Sequence, residues 1–121
     1  MSNPFYLRGR AFEYSCMNRL RAGGYYAWRA AGSKGPADLI AIKPHVSILL
    51  CQCKVSGALA IDEWNALYDL ADAVKGIPVL AMKAKGHGAD YIRLKARRTA
   101  KHVRLDALME RYDPFGQGNL F

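Results

Sequence analysis

The chain has 121 residues and a mass of 13.4 kDa, which leaves room for one hydrophobic core and not two, since domains run to about 100–150 residues. Apolar residues make up 51% and charged residues 23%, values that exclude a disordered tail, a collagen-like repeat and a coiled-coil rod. Lys and Arg total 18 against 10 Asp and Glu, a net charge of +8, so the expected partner is a polyanion, with nucleic acid first. The charge lies in two blocks. Residues 1–34 carry Arg8, Arg10, Arg19, Arg21, Arg29 and Lys34 against Glu13 alone, and residues 83–104 carry eight Lys and Arg against Asp90 alone.

Cys16, Cys51 and Cys53 are odd in number and lack zinc-type spacing, so neither a disulfide framework nor a structural zinc site is indicated, and a reducing compartment fits. The first ten residues contain no apolar signal core, and the longest apolar run, 46–51, is too short to cross a membrane. These features lead to the expectation of a cytoplasmic protein without a membrane partner.

Taken in chain order, Phe12, Cys16 and Leu20 stand four apart with Met17 beside them, which predicts an amphipathic helix over 10–22, ended by Gly23-Gly24. The aromatic run 25–30 reads as a strand and 32–36 as a loop. Residues 37–42 form a second predicted strand, 43–45 a tight connection and 46–55 a third strand. That third strand does not alternate through Ile48-Leu49-Leu50-Cys51, so both of its faces are expected to be covered. Trp64, Leu67, Tyr68, Ala71 and Val74 then mark a helix over 61–75, with Asp62 and Glu63 at its positive end. Residues 78–83 and 90–95 read as strands around a turn at 86–88. A basic segment follows, with a short amphipathic stretch at Leu105, Leu108 and Met109, and residues 113–121 read as a tail. The predicted order is α-β-β-β-α-β-β, an α/β fold with a mixed sheet flanked by helices, in a single domain spanning 1–121.

Strand geometry carries the functional expectation. Side chains alternate along a strand, so Gln52 and Lys54 share one face while Cys51 and Cys53 share the other. If the second and third strands form a hairpin through 43–45, Asp38 comes to lie beside Gln52 and Lys54. A carboxylate, an amide oxygen and a lysine then converge, with the backbone carbonyl of Cys53 as a further oxygen. Such a set suits phosphodiester cleavage: oxygen ligands hold a hard divalent cation, and a lysine stabilises charge or steers the attacking water.

Gly35-Pro36-Ala37-Asp38 followed by Gln52-Cys53-Lys54 resembles the proline-aspartate … (Asp/Glu)-x-Lys signature of the restriction-endonuclease-like nuclease superfamily. Arg8-Gly9-Arg10, Glu13, Gly24-Tyr25 … Arg29 … Ser33, the 67–71 helix and the 78–83 strand extend the resemblance to the archaeal-type Holliday-junction resolvases, over about residues 8–83. The resemblance implies a restriction-endonuclease-like fold and a homodimeric enzyme that cuts two strands of a four-way junction symmetrically with Mg2+, or with Mn2+ as a substitute. It makes Asp38 the principal metal ligand, joined by Gln52 and the Cys53 carbonyl, Lys54 the catalytic lysine and Glu13 an outer carboxylate. Ser33 would belong to a loop at the scissile strand, and Arg8, Arg10, Arg29 and Lys34 would contact DNA. A protein of this kind is expected in the cytoplasm, at the nucleoid or encoded by a phage.

Gln52 departs from the family pattern, which has an acid there; an amide can ligate through its oxygen but brings no charge. Two alternatives therefore stand beside the resolvase: a flap or replication-repair nuclease of the same superfamily, whose replication-repair branch includes Gln-x-Lys members, and a branched-DNA-binding module without catalysis. Elsewhere ordinary structural roles suffice. Trp28, Tyr25 and Tyr26 suit sheet packing, the three cysteines suit the core, and Glu63 is explained by the helix dipole. His45, His87 and His102 lack metal-ligand spacing.

Overall fold

The computed structural model describes residues 4–30, 35–99 and 104–116; Ser33, Lys34 and His102 lie outside them. The first helix, α1, runs Pro4–Ala22, six residues longer at its start than its apolar spacing predicts. Pro4 fits the first turn, where a helix has no use for the missing N–H. Phe12, Cys16, Met17 and Leu20 are buried along one face. The helix ends at Gly23-Gly24, where Gly24 takes the left-handed conformation and the Tyr25 N–H returns to the Leu20 carbonyl.

Six strands form one sheet in sequence order: β1 Tyr26–Arg29, β2 Leu39–Lys43, β3 Ser47–Lys54, β4 Ile77–Ala84, β5 His87–Leu94 and β6 Met109–Arg111. All neighbours pair antiparallel except β3 and β4, which are parallel. A parallel pair needs a crossover. The second helix, α2, Ile61–Ala73, provides it. The expected order α-β-β-β-α-β-β is present, with β6 added at the end.

Leu49 and Cys51 of β3 pack with α1, Ala27, Leu39, Val79 and Tyr91 on one side of the sheet. Leu50 packs with Leu80, Leu94, Trp64 and Leu67 on the other. The unbroken apolar run in β3 therefore reflects a central strand covered on both faces, as expected.

Three details differ from the sequence-based expectation. The β4–β5 turn falls at Lys85-Gly86, and Gly88 belongs to the strand; the Arg19 guanidinium crosses where a side chain on Gly88 would stand. The strand β6 is only three residues long and shows no alternation, so pairing to β5 rather than local pattern makes it a strand. The start of the expected tail is packed: Pro114 is buried and its carbonyl accepts the Tyr25 hydroxyl, while Phe115 meets Tyr91 edge-on at 6.0 Å. Among the described residues, no helix is long and apolar enough to cross a membrane.

The segment after β5 is fastened to α2. Asn65 accepts the Arg98 N–H and donates to the Arg98 carbonyl, both at 2.7 Å, and the Trp64 indole donates to Ala96. The Arg98 side chain is buried against the Trp64 ring and donates to the Leu59 carbonyl. Losing the Asn65 amide strands two backbone groups at a worth of about 1 kcal/mol each. Asn65→Ala is therefore expected to lower unfolding stability by roughly 2 kcal/mol in chemical denaturation, with secondary structure unchanged by circular dichroism.

Candidate active site

Asp38, one residue before β2, is held from three directions. Its N–H donates to the Cys51 carbonyl at 2.7 Å, its carbonyl accepts the Ala30 N–H at 2.9 Å, and its Oδ2 accepts the Cys53 N–H at 2.9 Å. The carboxylate is thus fixed at the point where β3 outruns β2. A strand residue directs its N–H and C=O to the same edge, so the Cys53 carbonyl points toward the edge where Asp38 sits.

Gln52 and Lys54 lie on the α2 side of β3. A cleft of about 360 Å³ is lined by Pro36, Asp38, Gln52, Asp62 and Glu63. Lys54 Nζ stands 3.4 Å from Glu63 Oε2. Asp38 and Gln52 thus share one cleft with Glu63, an acid that the helix dipole alone explains from sequence, and Glu63 links that cleft to Lys54. The overlooked signal was the short connection, 55–60, which folds the first turn of α2 back over the end of β3.

Glu13 reaches the same end of the sheet from α1. Its Oε1 lies 3.1 Å from both Nε and Nη2 of Arg29, and Arg29 also donates to the Tyr14 hydroxyl and stacks over the Tyr14 ring at 4.5 Å. Arg29, the DNA contact expected from the resemblance, is partly buried and pairs with Glu13. Arg8 and Arg10 are exposed on α1; Arg8 lines a shallow cleft with Lys54 and Ser56, and Arg10 lies 5.9 Å over the Tyr14 ring.

Burial is the main force raising the pKa of Asp38, offset by the Cys53 N–H, Lys54 and Arg29 and reinforced by Glu63. Burial also raises Glu13, followed by the nearby charge of Asp38, against Arg29. Bringing a cation to such carboxylates relieves both penalties. The donors on hand are all oxygens, namely the Asp38 carboxylate, the Gln52 amide, the Cys53 carbonyl and outer Glu13, a set suited to Mg2+ or Mn2+ rather than to softer metals. Among the described residues, no three His, Cys, Asp or Glu side chains close on one point as a complete metal cluster, so neutral oxygens must complete any such shell.

On the opposite face, the neighbouring Cys16 and then burial push the Cys53 thiol up, and burial pushes up Cys51, so both stay protonated. They are core groups without a base, as expected. His45 sits in the β2–β3 turn and His87 pairs with Asp90.

An acid whose pKa is raised by folding stabilises the fold below its unfolded pKa, and that stability is lost as pH rises through the folded value. In chelator, Asp38→Asn is accordingly expected to melt above the parent at about pH 7, with the gap narrowing as pH falls toward the ordinary aspartate pKa of about 3.9. Thermal melts across that range check both the sign and the window.

No curated protein matches the chain. Among solved structures, Hjc of Archaeoglobus fulgidus, a Holliday junction resolvase from an archaeal hyperthermophile, superposes with a TM-score of 0.61 at 24% identity, over 67% of this chain and 72% of that one. That likeness concerns the fold. The sequence profile of the archaeal Holliday junction resolvases matches residues 5–112, a span that holds α1, all six strands, the fixed Asp38 and Lys54. The chain belongs to the archaeal Holliday junction resolvase (Hjc) family.

Proposed function

We propose that this protein is a divalent-cation-dependent, structure-selective endonuclease that acts on branched double-stranded DNA as a homodimer and resolves four-way junctions by paired cuts. The observation that carries this reading is the placement of Asp38, clamped between β1 and β3 with its carboxylate on the Cys53 N–H, in one cleft with Gln52 and beside the Lys54–Glu63 pair. Magnesium, when bound, would polarise the scissile phosphate and acidify a water; manganese would substitute. Asp38, Gln52 and the Cys53 carbonyl would hold the ion. Lys54 would place its ammonium where negative charge grows on the phosphate. Glu13, oriented by Arg29, would accept a hydrogen bond from the attacking water. Arg8, Arg10 and Lys34 would hold flanking phosphates, and Ser33 would belong to the loop that meets the scissile strand.

A dimer is proposed because one site cuts one strand and a junction needs two cuts. Tyr26 and Trp28 support it: they project from the edge strand β1 on the side of α2 and are 69% and 42% exposed. A second copy of the chain would cover them. Such a substrate would put the protein in the cytoplasm, at the nucleoid or, if phage-encoded, in that of a host. Gln52 favours one rival, a binding module in which a neutral amide has silenced the chemistry.

Labelled four-way, flap and linear DNA incubated with Mg2+, Mn2+ or chelator test the proposal. Paired symmetric cuts in the junction are expected with metal only. Flap preference would indicate a repair nuclease, and binding without cutting would indicate the module. Asp38→Asn and Lys54→Ala are each expected to slow cleavage by about a hundredfold or more while junction affinity stays within a few-fold, because phosphate contacts supply most of the affinity. The joint variant Tyr26→Glu/Trp28→Glu is expected to sediment as a monomer and to lose paired cutting.

A further inference from the structure

We propose that Glu63, on the first turn of α2, supplies the second carboxylate of the cation site, in place of the acid that the strand signature would carry and that Gln52 lacks. The inference rests on the cation-dependent reading above.

Position favours it. Glu63 lines the same cleft as Asp38 and Gln52, and its Oε2 lies 3.4 Å from Lys54 Nζ. Asp38 feels its charge. Charge favours it too. With Gln52 neutral, the strand pair of Asp38 and Lys54 carries no net charge, and Glu63 adds the negative charge that the acid of an Asp, Glu and Lys set would bring.

The structural duties of Glu63 do not call for a carboxylate. Its Oε1 accepts the N–H of Ala60, the residue that starts the helix, at 3.1 Å. Glutamine performs that reach-back equally well. The helix dipole is already met by Asp62 in the same turn. The ion pair with Lys54 is half-exposed and long for a charge-assisted bond, so it holds the acid near the cleft without locking it there.

The test measures Mn2+ binding by electron paramagnetic resonance, with no turnover required, on the parent chain and on Glu63→Gln, Gln52→Glu, the double variant Gln52→Glu/Glu63→Gln, and Asp62→Asn. Glu63→Gln is expected to weaken Mn2+ binding about tenfold or more, with an unchanged melting temperature in chelator and unchanged junction affinity. The double variant should recover to within a few-fold of the parent, since it moves the charge from helix to strand. Asp62→Asn should stay within about twofold. Three results would each overturn the proposal: parent-like Mn2+ binding by Glu63→Gln, no recovery in the double variant, or an equal loss from Asp62→Asn. A parent chain that binds no Mn2+ with or without junction DNA would instead defeat the cation-dependent reading beneath it, a distinguishable failure.

Discussion

The hydrogen bond from the Cys53 N–H to the Asp38 carboxylate is the contact on which the site depends. It forms where β2 has run out and β3 continues, so a backbone donor that would otherwise face an empty ladder position is satisfied by a side chain. The same bond sets the direction of the carboxylate and, through strand geometry, that of the Cys53 carbonyl. With the Asp38 N–H on Cys51 and its carbonyl on Ala30, this one residue ties β1, β2 and β3 together at the end where the cleft opens. Position 38 therefore serves both the geometry of the cleft and the joining of the strands.

Around that anchor, charge is balanced by pairing rather than by solvent. Glu13 has Arg29, and Lys54 has Glu63. Each pair joins a helix to a strand, Glu13 and Arg29 on the α1 side and Lys54 and Glu63 on the α2 side. The site thus sits at the junction of both helical layers with the sheet, with each acid beside a cation.

Much of this was legible from sequence because the governing forces are local. The spacing of Phe12, Cys16 and Leu20 gives α1, the unbroken run in β3 gives a central strand, and strand alternation puts Gln52 and Lys54 on one face. What escaped depended on contacts distant in sequence. The three residues of β6 become a strand only by pairing with β5, and Gly88 is in a strand because Arg19 passes over it. Arg29 reads as a free cation until α1 brings Glu13 and Tyr14 against it. Glu63 was hidden by a sufficient but incomplete explanation: an acid at a helix start needs no further cause, and only the path of residues 55–60 shows what else it faces.

That path has an implication for how such proteins are recognised. Residues 38–63 form one unbroken strand–turn–strand–helix stretch that contains Asp38, Gln52, Asp62 and Glu63 of the cleft. Within it, the third residue of α2 and the sixth residue of β3 face a common space, so an acid can migrate between them by two point changes while the backbone stays as it is. A search that demands the acid on the strand would score this chain as dead, although an acid on the helix, Glu63, lines the same cleft. The informative unit for judging such a chain is the sum of charge around the cleft, not the letter at one position of a motif.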